Sequence, residues 1–276
     1  MSNVLPAAAK SGAAQPARGR RGGRALRAVL FPALPWLIII ALWYAIHHSG
    51  LVRPALVPAP HAVLARFWTL LTAQSFLTDM WMSTQRVILG VVLGVACAVP
   101  IGFLIGWYAP VRAFVNPLIN FFRALPPIAL IPLVIVYFGI GEGAKVIILF
   151  YAAFFAGVIV MYEGISQINP IFIRVARTLG ATDGEIFRRI IVPLSLPHVV
   201  TALRVALGVA WATLVASELI AAQRGLGAVI QDATAFFQLD TIYVGIITIG
   251  TIALAMDTAL RVVSRRLLSW QERIDQ

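Results

Sequence analysis

The sequence predicts an all-α integral membrane protein of about six transmembrane helices, and three observations carry that prediction. First, the 276 residues are 60% hydrophobic and only 12% charged, with a mean hydropathy of +0.89. A water-soluble domain uses roughly 45–50% apolar and 25% charged residues and cannot hide this much apolar surface. Second, the apolar residues fall in runs long enough to cross a hydrocarbon core of about 30 Å, which takes roughly 20 helical residues. Third, the net charge of +11 is concentrated beside those runs, which suits a membrane surface and lipid rather than nucleic acid.

Residues 1–30 are rich in Ala, Gly, Pro and Arg, with Lys10, Arg18, Arg20, Arg21, Arg24 and Arg27 ahead of the first apolar run. They read as a disordered basic cytoplasmic tail. The run 31–46 ends in His47, His48 and Ser49 without a small-residue cleavage site. It is therefore expected to be a first span rather than a signal peptide. Residues 31–80 hold that helix and an amphipathic periplasmic segment whose helix starts after Pro60. Further spans are expected over 87–108, 146–162, 199–222 and 242–263. The stretch 111–138 contains Asn116, Pro117, Asn120, Arg123 and Pro126-Pro127, so it is expected to cross as an interrupted helix. Residues 81–266 form the core of the membrane domain, and 267–276 a cytoplasmic C-terminal tail.

With the N-terminus inside, fifteen basic residues fall on cytoplasmic segments and four (Arg53, Arg66, Lys145 and Arg224) outside, which favours both termini in the cytoplasm. Gly90, Gly94, Ala98, Gly102 and Gly106 recur every four residues. That bare stripe lets another backbone approach, and tight packing is its expected use. Cys97 is the single cysteine; it forms no intrachain disulfide, and packing is its expected role.

The segment 164–198 is a long polar interruption on the expected cytoplasmic side. Residues 171–179 can form a helix and Gly180 can end it in a left-handed conformation. Thr182-Asp183-Gly184-Glu185 has the spacing of a capping box that opens a second helix. In that second helix Ile186, Phe187, Ile190 and Ile191 share one side, Arg188 and Arg189 face water or phosphates, and Pro193 and Pro197 are expected to end it. Such an amphipathic elbow can dock on a partner.

These residues resemble the cytoplasmic EAA loop of ABC importer permeases, whose pattern is Glu-Ala-Ala, three residues, Gly, nine residues, then Ile-x-Leu-Pro. Ala176, Gly180, Ile190 and Pro193 stand in that spacing, while Arg174, Val175 and Val192 depart from it. The resemblance runs from about residue 59 to the C-terminus and narrows to the taurine, sulfonate and nitrate group. It is carried by Arg123-Ala-Leu-Pro-Pro127, Tyr137-Phe-Gly-Ile-Gly-Glu142 and Ala176-Arg-Thr-Leu-Gly180. Ala216-Ser-Glu-Leu-Ile-Ala-Ala222 with Arg224-Gly-Leu-Gly227 resembles the taurine branch most. The resemblance implies a type I importer bundle whose coupling loop includes Arg174, Val175, Ala176, Gly180, Asp183, Glu185, Ile190 and Pro193. It also implies a second copy of this permease, two ATPase subunits docked on the loops, and a periplasmic or lipid-anchored substrate-binding protein. The chain has no G-x-x-x-x-G-K-[ST], and its lysines are Lys10 and Lys145. ATP and Mg are therefore expected on the partner ATPase, with no cofactor, metal or catalytic residue in this chain.

Ionisable groups inside spans cost at least ~2.5 kcal/mol unless paired or wet. Arg204, Gly208, Trp211, Val215 and Glu218 share one helix face, and Arg204 lies too far from Glu218, about 21 Å, to pair with it. Trp211, Ser217 and Glu218 are candidates to line a pathway, with Glu218 engaging the ammonium if the substrate is a zwitterionic amino-sulfonate; an interhelical pair or a gate hydrogen bond is the alternative. Asp257 and Arg123 are candidates of the same kind, and Arg123 is the better anion attractor because Pro126-Pro127 frees backbone groups beside it. An ion-coupled secondary transporter would require an inverted repeat that is not visible. A membrane enzyme would require a nucleophile elbow, an HExxH or a ligand cluster, and His47, His48, His61 and His198 are scattered near segment ends.

Overall fold

The computed structural model describes residues 20–50, 52–53, 55–221 and 223–268, with the side chains of 20–32, 221 and 267 outside that description. The expected tail therefore lies outside the described residues up to 19 and again over 269–276. From Arg20 onward the expectation of disorder is corrected, because α1 (Arg20–His48) already begins there. Ala, Leu and Arg dominate residues 24–30, and all three are strong helix formers.

Two compact units divide at Pro60. In the first, the apolar part of α1 spans Ala33–His48, and the turn after it is tied back by two side chains. Trp43 Nε1 donates to the Pro58 carbonyl at 3.0 Å, and His47 Nδ1 lies 2.7 Å from the Val57 carbonyl.

The second unit starts with α2 (Pro60–Thr72), for which proline supplies the first turn as expected. It continues through α3 (Gln74–Trp107), α4 (Ala109–Ala124), α5 (Pro127–Phe138) and α6 (Glu142–Ser166). After α7 (Pro170–Thr178) and α8 (Asp183–Ile186), a π turn (Phe187–Ile191) leads into α9 (Val192–Ala221). Last come α10 (Leu226–Ala235) and α11 (Leu239–Leu267). Among the described residues, four helices are long and apolar enough to cross a membrane, and α4 with α5 adds a fifth crossing if that bent pair is one span.

The centre of this unit is the α3–α6 pair, and the glycine stripe explains it. A Cβ on Gly90 would stand 2.4 Å from Leu149 Cβ, one on Gly94 2.7 Å from Ala153 Cβ, and one on Gly102 2.4 Å from Met161 Cβ. On α6, Gly157 returns the favour to Ala98 at 2.9 Å, and Gly106 meets Ile165. The matched positions rise by four on both helices, so the two run parallel with their backbones in close approach. Packing was the expected use of the stripe, and the structure uses it so. Cys97, on another side of α3, is exposed rather than packed.

Against this pair lies α9, antiparallel. Val87, Val91 and Val95 of α3 join Leu149 and Ala153 of α6 and Ala206, Ala210, Trp211 and Leu214 of α9 in one buried cluster. The interrupted span is present as a 91° bend between α4 and α5. Pro126 and Pro127 have no N–H to offer the carbonyls of Phe122 and Arg123, which is why the helix stops. Tyr151 Oη donates to the Phe122 carbonyl instead.

The expectation that Pro193 and Pro197 end the second loop helix is corrected. From Asp183 to Ile220 the chain is one helical stretch of 38 residues. The intervening π turn widens the ladder, with Val192 N–H bonded to the Phe187 carbonyl five residues back. This relieves the clash that Pro193 would otherwise make one turn earlier.

A side chain on the stripe should be costly where it meets backbone. Gly94→Val places its Cβ 2.9 Å from the Phe150 carbonyl and the Phe154 nitrogen, and overpacking of this kind costs about 1–3 kcal/mol or more. Gly250→Ala meets nothing within 4 Å and should stabilise by up to about 1 kcal/mol. Thermal midpoints in detergent should therefore move in opposite directions for the two variants.

Candidate functional site

Three polar constructions stand out from the apolar bundle, and the first is built on Arg86. Its side chain is 3% exposed, and a buried guanidinium must find acceptors. Nε and Nη2 donate to the two oxygens of Glu142, Nη2 at 2.7 Å. Nη1 pairs with Glu218 and donates to the Arg224 carbonyl at 2.8 Å. Glu218 is itself buried and saturated: Ser83 Oγ lies 2.8 and 2.9 Å from its two oxygens, and Gly227 N–H donates at 2.8 Å. Ser83 Oγ also accepts from Leu226 N–H, Asp79 accepts from Gly225 N–H at 3.0 Å, and Lys145 donates to Glu142 at 2.9 Å.

This network joins the first turns of α6 and α10 to the body of α3 and the end of α9. It also explains Arg224-Gly-Leu-Gly227. Gly225 has φ +125°, and a Cβ there would stand 2.5 Å from Glu218 Oε1. A Cβ on Gly227 would stand 2.5 Å from Glu218 Cβ. Both glycines are required by the carboxylate beside them.

Glu218 is therefore an interhelical pair, the alternative weighed in the sequence, and it has no free oxygen facing a passage. Trp211 is 4% and Ser217 1% exposed, with Ser217 Oγ donating to the Leu214 carbonyl at 2.9 Å. The structure places all three in packed interior, Trp211 with Ala206, Ala210 and Leu214 against α3 and α6, whereas Gly208 of the same expected face is exposed. Sequence reasoning missed Arg86, Ser83 and Asp79. Their spacing of four and three residues on one helix face was the available signal.

The second construction is at the middle of α9. Arg204 Nε donates to Asp257 Oδ1 and Arg261 Nε to Asp257 Oδ2, both at 2.7 Å. Asp257 is a bundle pair, and Arg204 has the separate partner that its distance from Glu218 demanded.

The third is the loop. Asn169 caps α7 by accepting from Ile171 N–H at 3.0 Å. At its other end Ala181 N–H bonds to the Ala176 carbonyl and Gly180 N–H to the Arg177 carbonyl, both at 3.0 Å, with Gly180 at φ +83°. This is a Schellman ending with glycine where L side chains are strained. The expected capping box is formed: Thr182 N–H donates to Glu185 at 3.0 Å and Glu185 N–H to Thr182 Oγ1 at 3.4 Å. Arg177 pairs with Asp183 across the glycine at 3.1 Å. Ala176, Ile186 and Ile191 pack with Met161, Ile165 and Ala202, with Ile190 and Phe187 against them.

One expectation about this loop is corrected. The apolar side of the second helix is turned into the bundle and is not free to dock. The exposed apolar stripe lies on α7 instead, where Ile171, Phe172 and Val175 are each 50% and Leu179 82% exposed. Arg174, Arg177, Arg188 and Arg189 are exposed around it. Pro193 is half-buried just past the π turn. Nothing in the structure requires a carboxylate where Arg174 stands.

Arg123 borders a cavity of about 110 Å³ together with Asn116, Asn120, Tyr162 and Glu163.

Breaking the Arg86 network from one side leaves a buried charge uncompensated, at a cost of about 3–5 kcal/mol. Arg86→Met and Glu218→Leu should each lower resistance to denaturant by that order, and the double variant should recover much of the loss. Glu142→Gln should cost less, since that side chain is 54% exposed. Unfolding titrations in mixed micelles measure all four.

Similarity to known proteins agrees with this architecture. Residues 90–269 match the family described as the binding-protein-dependent transport system inner membrane component. A probable ABC transporter permease protein of Brucella abortus (strain 2308) is 45% identical over 240 residues, covering 87% of this chain and 95% of that protein. The taurine transport system permease protein TauC of Escherichia coli (strain K12) is 34% identical over 242 residues, covering 86% and 88%. Among solved structures, an amino acid ABC transporter crystallised with histidines superposes with a TM-score of 0.60 at 20% identity, over 72% of this chain and 98% of that one. With a family match over residues 90–269 and a fold shared with that solved transporter, the chain belongs to the inner membrane components of binding-protein-dependent transport systems.

Proposed function

We propose that this chain is the membrane-spanning half of an ATP-driven importer for a small organic anion, taurine or a related sulfonate, moved from periplasm to cytoplasm. Two copies of it form the passage in the bacterial inner membrane, with both termini cytoplasmic. Two separate ATPase subunits bind ATP and Mg, and a periplasmic or lipid-anchored binding protein delivers the substrate. Nitrate is the second reading of the substrate, since the resemblance covers that group too.

The observation that carries this reading is the stripe on α7. Four apolar side chains stand out of a short helix whose two ends are both capped, flanked by guanidiniums and backed by the bundle. A soluble partner that buries Ile171, Phe172, Val175 and Leu179 gains roughly 1.5–3 kcal/mol for each fully covered side chain. The elbow then passes movement on. Arg177–Asp183 fixes α7 to α8, and α8 continues through the π turn into α9, a rod of about 57 Å at 1.5 Å per residue. ATP-driven closure of the ATPases would draw the two elbows together and tilt α9 with the helices clamped to it, which exchanges inward for outward access. Arg123 remains the candidate for attracting the anion. Trp211, Ser217, Glu218 and Asp257 serve the bundle instead.

Leu179→Arg and Gly180→Val test the docking surface, the first by charging the stripe and the second by straining the turn. Both should leave membrane insertion intact, abolish copurification of the ATPase, and cut uptake at least tenfold in reconstituted vesicles. Unchanged ATPase binding and uptake in both would remove the loop from the coupling role. Active transport by the purified chain alone would overturn the importer reading.

A further inference from the structure

We propose that the cavity between α4 and α6 is a subsite for a small zwitterion, whose anionic group is held by Arg123 with Asn116 and Asn120, and whose ammonium is held by Glu163. This rests on the importer reading and deepens it, because it selects amino-sulfonates over simple anions.

Three facts converge on this cavity. Asn116, Asn120 and Arg123 are spaced four and three residues apart, so α4 turns all of them to one side, and all three border the same space as Glu163 and Tyr162 of α6. Arg123 and Glu163 share that space without pairing, and among the described residues neither side chain has another partner. Finally, Arg123 sits in the last turn of α4, just before the break in the span. Interrupted helices of this kind are where transporters place solute contacts.

Both side chains are exposed, so a guanidinium and a carboxylate with no partner of their own among the described residues border one open recess that a solute can enter. A solute with a single negative charge satisfies only Arg123 and is repelled by Glu163. A zwitterion that reaches from one group to the other satisfies both. The carboxamides add donors that suit a three-oxygen anion. Tyr162 forms part of the wall, and its ring is fixed by Arg112, whose guanidinium lies 5.6 Å from the ring centroid. The volume, about 110 Å³, is several times what one water needs and far below that of a drug-sized pocket.

The test uses the whole importer in vesicles, with 2-aminoethanesulfonate and ethanesulfonate each supplied at concentrations that saturate the binding protein. The binding protein is the same in every case, so any change in the ratio of the two uptakes comes from the permease. Arg123→Gln should lower uptake of both solutes at least tenfold. Glu163→Gln should lower 2-aminoethanesulfonate uptake at least tenfold and leave ethanesulfonate within twofold of the unaltered protein, and Glu163→Asp should recover part of the loss. ATP turnover stimulated by the loaded binding protein should persist in all three. An unchanged ratio in Glu163→Gln overturns the proposal, whether uptake of both solutes is retained or falls together with thermal stability. If the unaltered importer shows no ATP-dependent uptake, the importer reading itself fails, which is a different result from an unchanged ratio.

Discussion

A guanidinium buried among apolar helices sets the terms for one whole end of this molecule. Arg86 cannot lose its proton and cannot reach water, so each of its N–H groups must be met by protein. The first turn of α6 supplies Glu142, the end of α9 supplies Glu218, and the turn before α10 supplies a carbonyl. Once Glu218 is drawn in, its second oxygen needs donors too, and it takes them from Ser83 and the backbone of Gly227. The turn must then pass so close to the carboxylate that residues 225 and 227 have no room for a Cβ. One charge thereby accounts for Glu142, for Glu218 and for two glycines, residues that belong to three separate stretches of sequence.

The consequence for movement follows from comparing this end with the rest. Glycine and alanine bring the α3 and α6 backbones close along their length, and such a seam has no slack. Near its end α9 is tied by an ion pair through Glu218 to Arg86, and at its middle by another through Arg204 to Asp257. Between Asp183 and Ile220 the one departure from α-helical bonding is the π turn at 187–191. A displacement of α7 would therefore either bend that turn or move α9 as a rod. Since α9 is clamped to the α3–α6 pair, moving the rod would carry the pair with it. By contrast α4 and α5 are joined at a proline break, and α4 touches the pair through the patch around Ile119, Ile105 and Val158. The wall of the Arg123 cavity is thus formed between a stiff part of the bundle and a less constrained one.

Much of this was legible in the sequence, for identifiable reasons. The spans were legible because hydropathy is summed over twenty residues and needs no knowledge of neighbours. The break at Pro126-Pro127 and the elbow at Gly180 were legible because a missing N–H, a left-handed turn and a capping box are local facts. Pro193 and Pro197 were read as an end because a π turn has no sequence signature, and one extra residue in the ladder made room for the first of them. The apolar face of Ile186 and Ile191 was visible, yet nothing local says whether such a face meets a partner or its own bundle. The same limit hid Arg86. Its spacing from Ser83 and Asp79 showed a polar face, but the partners lie more than 50 residues away in the chain.

That limit also shows how structural and available charges can be separated inside a membrane bundle. Glu218 was the natural candidate for binding an ammonium, being a lone carboxylate in an apolar span. In the structure its oxygens are met by a guanidinium, a hydroxyl and a backbone N–H, so a substrate amine would have to displace bonds already made in a place water cannot refill. Glu163 is the reverse case: it sits close to the end of α6, its side chain has no partner among the described residues, and it faces a cavity whose opposite wall carries a cation. Burial raises the cost of an ionised group, and saturation removes its capacity to bind anything new. A charge that is paid for by the fold belongs to the fold, and one left unsatisfied beside an opening is available to a solute.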